Sequence, residues 1–194
     1  MDSDVLIKHF AMRPLEPEGG WFVETWRSGQ EVDTPRGKRS LGTAILYLLR
    51  AGEFSAMHRL ASDELWHFYL GDPAELLLLK PDGSSRIITL GHAVASLARG
   101  KGWRADPDGT GATHPFAGAN VSAGHQLQAI VPKGSWQGCR VMEGGRFALM
   151  GTTVTPGFEP EDLELGHRDE LLRNYSDREP MIVALTRSHR PPFA

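Results

Sequence analysis

The residues best suited to chemistry lie close together between Gly52 and Gly71, where His58, Glu64, Trp66 and Phe68 follow one another at short spacing. Side chains alternate along a strand, so Glu64, Trp66 and Phe68 share a face, and His58 shares one with Leu60. Gln137 and Cys139 form a second such pair, beside Pro132, Gly134 and Trp136. An imidazole and a carboxylate together suit proton transfer, ligand binding or metal coordination. They also suit a buried, hydrogen-bonded pair with no further role, because a buried carboxylate is costly unless partnered. His58, Glu64 and Gln137 could supply three metal ligands, with a neutral amide oxygen standing in for an imidazole. Cys139 has neither a second cysteine nor a neighbouring base, which makes it a wall residue rather than a nucleophile. Trp66 and Phe68 offer either core packing or a platform for a ligand. Trp136 and His67, one residue out of phase with Gln137 and Glu64, should point to the opposite faces. His92, His114 and His125 lack ligand spacing and read as solvent-facing.

The elements that position these residues are mostly strands. Trp21–Trp26, Leu41–Leu49, Phe54–Leu60, Leu65–Leu70, Ala74–Lys80, Arg86–Leu90, Gln126–Val131, Trp136–Val141 and Arg146–Thr155 are rich in apolar and β-favouring residues. Asp82-Gly83 is a hairpin signal between two of them. Many short strands with Gly and Pro punctuation predict a sandwich or barrel. Ser3 can cap a short helix whose Leu6, Ile7 and Phe10 share a face. A second helix is expected over His167–Tyr175 and a last strand over Met181–Leu185. Residues 91–124 carry no steady period and read as a long loop, either a lid or an insertion.

The totals set the frame. The 194 residues fit one domain and carry 40% hydrophobic and 23% charged residues with a net charge of −3. Scattered Lys and Arg give no nucleic-acid footprint and no polybasic membrane patch. No apolar run is long enough to span a membrane. The single cysteine and an N-terminus with acids where a leader would have bases point to the cytoplasm.

The motif Gly…His-x-His…Glu…Gly of cupins resembles this chain at Gly52, His58, Glu64 and Gly71, and the second cupin motif is echoed at Pro132, Gly134, Trp136 and Gln137. Leu60 replaces one motif histidine, Gln137 another, and Val141 the closing Asn, so two of the four usual metal ligands are missing. The chain is more closely similar to one cupin subfamily catalogued as a domain of unknown function. That likeness rests on Pro17-Glu18-Gly19-Gly20-Trp21-Phe22, Glu64-Leu65-Trp66-His67-Phe68, Val131-Pro132 with Trp136-Gln137, and Val154-Thr155-Pro156-Gly157-Phe158. It spans roughly residues 5–187.

The resemblance implies an all-β double-stranded β-helix, a cupin jelly-roll barrel with one or two short helices. The N-terminal helix and an edge strand would occupy 1–40, the barrel about 41–158, and a C-terminal helix and strand about 159–187. It also implies a homodimer, as does an edge strand at Trp21–Trp26 that needs covering. With His58 facing inward, the barrel would hold His58 and Glu64 as catalytic groups. Trp66, Phe68, Gln137, Cys139 and Glu18 would be ligand contacts, with Glu18 at the rim or in the dimer contact.

The function expected is binding, or binding with conversion, of a sugar-like or other small polar molecule. By likeness to metal-free deoxysugar-nucleotide epimerases, His58 would take a proton, Glu64 would orient it and Gln137 would hold the substrate oxygen. No basic cluster for a nucleotide diphosphate is evident. A non-catalytic sensing or binding protein is the alternative, and a metal-dependent dioxygenase or isomerase with a reduced ligand set is a third. No cofactor is expected, a divalent metal is possible, and neither nucleic acid nor membrane is a partner.

Overall fold

The computed structural model describes residues 2–92 and 124–187. The chain opens with helix α1 (Ser3–His9), the two-residue strand β1 (Arg13–Pro14) and β2 (Trp21–Arg27). A hairpin follows, β3 (Glu31–Thr34) and β4 (Gly37–Ser40), then β5 (Thr43–Arg50), β6 (Phe54–Leu60), β7 (Asp63–Gly71), β8 (Ala74–Leu79) and β9 (Ser85–Leu90). Beyond residue 124 come β10 (Gln128–Val131), β11 (Trp136–Val141), β12 (Phe147–Thr155) and β13 (Leu163–Leu165). Two short helices, α2 (Arg168–Asn174) and α3 (Glu179–Ala184), complete the fold.

Two antiparallel sheets face each other, one in the order β1-β2-β5-β12-β7-β10 and the other β13-β6-β11-β8-β9. A bridge between Leu90 and Gln126 joins them along one edge. The hydrophobic patterning explains three layers. Between the sheets lie Tyr47, Leu49, Trp66, Phe68, Leu76, Leu78, Ile88, Leu90 and Met150. Outside the five-stranded sheet, Met57, Leu77, Leu79 and Trp136 pack under Leu171, Tyr175, Ile182 and Leu185 of the C-terminal helices. Outside the six-stranded sheet, Leu48, Phe147 and Leu149 pack under Leu6 and Met12. Strand β8 is Leu at four successive positions because both its faces are covered, so alternation disappears from its sequence.

Most expected elements are present, including the β8–β9 hairpin, where Asp82 Oδ1 accepts from the Ser84 amide at 2.8 Å. Four readings need correction. Met181–Leu185 is not a strand but lies on α3 and its cap. Pro180 sits in the first turn, where its missing N–H does no harm, and Met181, Ile182 and Leu185 then fall on one face against Met57 and Leu77. Ser3 is the first helical residue rather than the cap; Asp2 caps α1 by accepting from the Asp4 amide at 3.0 Å. Trp21–Trp26 is an edge only in part, since β1 pairs with it at Trp21 and Phe22 and leaves Val23–Trp26 uncovered. His125 is half-buried beside Gly91 rather than solvent-facing. His92 is exposed, with its ring edge-on to Phe68 at 4.9 Å. His114 and most of the expected 91–124 loop lie outside the described residues.

Candidate functional site

Strands β6, β7 and β11 bring His58, Glu64, Trp66 and Gln137 together between the sheets, all 6% exposed or less. Alternation along β7 turns Glu64 and Trp66 inward, and the pairing Gln137↔His58 sets the amide next to the imidazole. Trp66 Nε1 donates to Gln137 Oε1 at 2.7 Å, and Gln137 Nε2 donates to Glu64 Oε2 at 2.5 Å. The indole N–H can only donate, so the amide orientation is forced: its oxygen faces Trp66 and its nitrogen faces the carboxylate.

His58 Nδ1 lies 2.8 Å from the Ala56 carbonyl oxygen. A carbonyl only accepts, so Nδ1 carries a hydrogen, and Nε2 is the atom turned to Glu64 Oε2 at 4.0 Å.

A bulge on β6 completes the site. Gln137 pairs with His58 and Cys139 with Ser55, so three residues of β6 span what two span on β11. The extra residue turns both Ser55 and His58 inward although they are three apart. The backbone groups it displaces find other partners. Ala56 N–H donates to the Glu18 carbonyl at 2.9 Å, Met57 N–H to the Leu185 carbonyl at 2.8 Å, and the Met57 carbonyl accepts from Gly166 N–H at 2.7 Å. Gly138 lets the bulge pass, since a Cβ there would stand 2.7 Å from Met57 Sδ.

Glu18 enters from the loop before β2. Its residue is half-buried, but its carboxyl end lies inside, where Ser55 Oγ donates to Oε1 at 2.6 Å. Gly20, at φ +72°, lies against Tyr47, whose hydroxyl donates to the Gly19 carbonyl at 2.8 Å. Arg187 Nη2 holds the same loop from outside through the Pro17 and Glu18 carbonyls at 3.1 and 3.3 Å.

The electrostatics follow from burial and from two carboxylates around one imidazole. Burial pushes His58 down, but the charges of Glu18 and Glu64, with hydrogen bonding to Glu64 and the Ala56 carbonyl, outweigh it and raise the ring to about 9. Burial, reinforced by the charge of Glu64, raises Glu18 against the opposing effects of His58 and Ser55. Burial likewise raises the Cys139 thiol and the Tyr47 hydroxyl, each further raised by Glu18. Both effects disfavour the thiolate, the form in which a cysteine reacts.

Of the residues nominated from sequence, His58, Glu64, Trp66, Gln137, Cys139 and Glu18 share this interior. Phe68 lines it farther along β7, towards His92. Trp136 and His67 point outward as expected: Trp136 is buried under Arg59, whose guanidinium lies 4.4 Å above the ring, and His67 contacts Thr153 and Gln128. Ser55 and Tyr47 were not nominated. The signal for Ser55 was two polar residues three apart in one strand, which only a bulge places on one face.

The three-ligand metal set does not fit. The Gln137 oxygen that would coordinate is taken by the Trp66 indole, and its amide nitrogen faces Glu64. Among the described residues, no group of three His, Cys, Asp or Glu converges as a metal site. A separate surface groove of about 370 Å³ runs along the β3–β4 hairpin past Arg36, Asp63, Lys133 and Pro156, and none of the nominated residues lines it.

A family model described as cupin superfamily (DUF985) matches residues 4–166. The chain belongs to that family. A structural-genomics protein from Shewanella oneidensis is similar at 28% identity and a TM-score of 0.73, over 97% of this chain and 99% of that one. A hypothetical protein from Leishmania major is similar at 26% identity and a TM-score of 0.75, over 97% and 100%. No curated protein matches the chain. The cupin fold accounts for the inward-facing strand ends on which the site is built, while fold membership leaves the activity open. No described helix is long and apolar enough to cross a membrane.

Proposed function

We propose that this cupin binds a small polar molecule inside its barrel and moves a proton on it without a metal. The observation that carries the reading is His58 set between two carboxylates, Glu18 and Glu64, with Gln137 locking Glu64 to Trp66. A purely structural histidine needs one partner, and this one has an environment that tunes its charge. Held near 9, the ring is doubly protonated at neutral pH. That reverses the role expected from sequence: His58 donates a proton or stabilises a developing oxyanion, and Glu64 is the group that can accept a proton. The second N–H of Gln137 is available to a substrate oxygen. Likeness to metal-free epimerases supports the reaction class only as analogy.

The test is uptake of solvent deuterium at the carbon next to the carbonyl in a panel of small aldoses and ketoses. The expected result is uptake by the wild type that is lost in Glu64→Gln and His58→Asn, both still folded by circular dichroism. Equal uptake in the variants would remove the pair from the chemistry.

The same reading takes the molecule as a cytoplasmic homodimer, with Tyr69 and Ile130, 46% and 59% exposed on the outer face of the six-stranded sheet, as the surface to be covered. Light scattering that gave the monomer mass of 21.3 kDa at micromolar concentration would overturn the dimer.

A further inference from the structure

The Glu18 carboxyl group lies inside beside His58, yet it is carried by the loop between β1 and β2 rather than by a strand. Burying that group costs desolvation, so the backbone around it must be fixed. Three successive loop carbonyls do this. The Gly19 carbonyl accepts from the Tyr47 hydroxyl at 2.8 Å, and the Glu18 carbonyl from Ala56 N–H at 2.9 Å. The Pro17 and Glu18 carbonyls both accept from one atom on the outside, Arg187 Nη2, at 3.1 and 3.3 Å. The Glu18 carbonyl oxygen thus uses both lone pairs, one towards β6 and one towards the C-terminal segment.

Arg187 leaves the end of α3 from a fixed point. The Leu185 carbonyl accepts from Met57 N–H at 2.8 Å, the Thr186 hydroxyl donates to the Ile182 carbonyl at 2.6 Å, and Arg168 Nε donates to Thr186 Oγ1 at 2.8 Å. The guanidinium then lies over the Phe54 ring, 5.5 Å from its centroid. Gly19 makes room for it: a Cβ there would stand 2.3 Å from the Phe54 carbonyl oxygen and 3.2 Å from Arg187 Nη2.

We propose that Arg187 is a positioning residue for His58, clamping the Pro17 and Glu18 backbone from outside so that the Glu18 carboxyl group stays turned to the imidazole. The inference adds a residue to the interior site proposed above and is tested without a ligand. Its sign separates it from a simple charge effect. Burial lowers His58, and the charge of Glu18 is the strongest of the influences that raise it. Glu64 and the Ala56 carbonyl, which also raise the ring, sit on strands and do not depend on the clamp. A guanidinium acting only through its own positive charge would lower His58, so its removal would raise the ring. A guanidinium acting through Glu18 does the reverse: without it the loop loosens, the carboxyl group withdraws and the ring falls.

The experiment compares the full-length wild type with Arg187→Met and Arg187→Lys. Amide hydrogen exchange reads the loop through Ala56, and NMR titration reads His58. Met keeps most of the stem and loses the donors, whereas Lys keeps a charged nitrogen that can donate to the same carbonyls. In Arg187→Met the Ala56 amide is expected to exchange faster by about fivefold or more. The amides of β8 should exchange as in the wild type, and the His58 midpoint should fall below about 9. Arg187→Lys should recover most of both changes. An unmoved or higher His58 midpoint overturns the inference, as does an unchanged Ala56 amide. Acceleration spread equally over β8 overturns it too, since that marks a general loss of stability. So does an Arg187→Lys variant no closer to the wild type than Arg187→Met. No substrate enters these measurements, so absence of deuterium uptake would count against the proposed activity and leave this result readable.

Discussion

The two sides of the barrel interior solve opposite problems. On the side built by β8 and β9, Leu76, Leu78, Ile88 and Leu90 are buried and interchangeable in kind. Any of them stabilises the fold through area removed from water. On the side built by β6, β7 and β11, every polar atom depends on a particular neighbour: the Trp66 indole on Gln137, Gln137 on Glu64, and Ser55 on Glu18. The leucine side supplies stability, and the polar side consumes some of it to hold a fixed arrangement of charge. The difference separates what keeps the protein folded from what gives it chemistry.

The comparison can be broken most directly from the leucine side. Leu76→Ala is expected to cost about 2–5 kcal/mol in urea unfolding and to leave the titration of His58 near 9. A large displacement of that titration would show that the two sides are not separable.

Next in size is a pH effect confined to the polar side. His58 has its folded value raised from 6.5 to about 9, so its stabilising contribution is complete below 6.5 and lost as pH rises through about 9. That loss amounts to about 3 kcal/mol. Glu18, also raised, adds a loss of the same sign that begins lower, above 4.5. Stability should therefore fall across this window in the wild type and less steeply in Glu64→Gln, where Glu18 still raises the ring. A flat wild-type profile would contradict the charged imidazole.

Gln137→Leu preserves bulk but leaves the Trp66 indole and the Glu64 carboxylate without their shared partner. A loss of about 1–3 kcal/mol is expected, with a shift in the indole resonance. An unchanged or stabilised variant would mean that the amide bridge is dispensable. Ser55→Ala should have the smallest effect, about 1 kcal/mol. It should also raise Glu18 further, because the Ser55 hydrogen bond lowers it; carboxyl NMR titration checks the direction.

Period-two patterning exposed the polar side well where strands are regular. Glu64, Trp66 and Gln137 are legible because β7 and β11 keep their alternation across the site. Ser55 was hidden by the bulge, which breaks the two-residue period at Ala56 and Met57. Tyr47 was hidden inside the apolar run of β5, where burial on both faces erases the pattern. The helix at Glu179–Ala184 was hidden because Met-Ile-Val-Ala-Leu favours a strand locally, and packing against β6 and β8 decides otherwise. The charge state of His58 was out of reach, since it needs Glu18, forty residues away in the chain, to be brought to the same interior.

The bulge on β6 also has a bearing on synthesis. Its Met57 amide is satisfied by the Leu185 carbonyl, and the Glu18 loop that caps Ala56 is pinned by Arg187. As the polypeptide leaves the ribosome, His58 is exposed while both of these partners are still untranslated. The strands can pair in the meantime, but the backbone kink that aims His58 acquires its last hydrogen bond only once α3 has emerged. A nascent chain arrested before that point should carry a sheet without a competent interior, and maturation of the site would then be among the final events of folding.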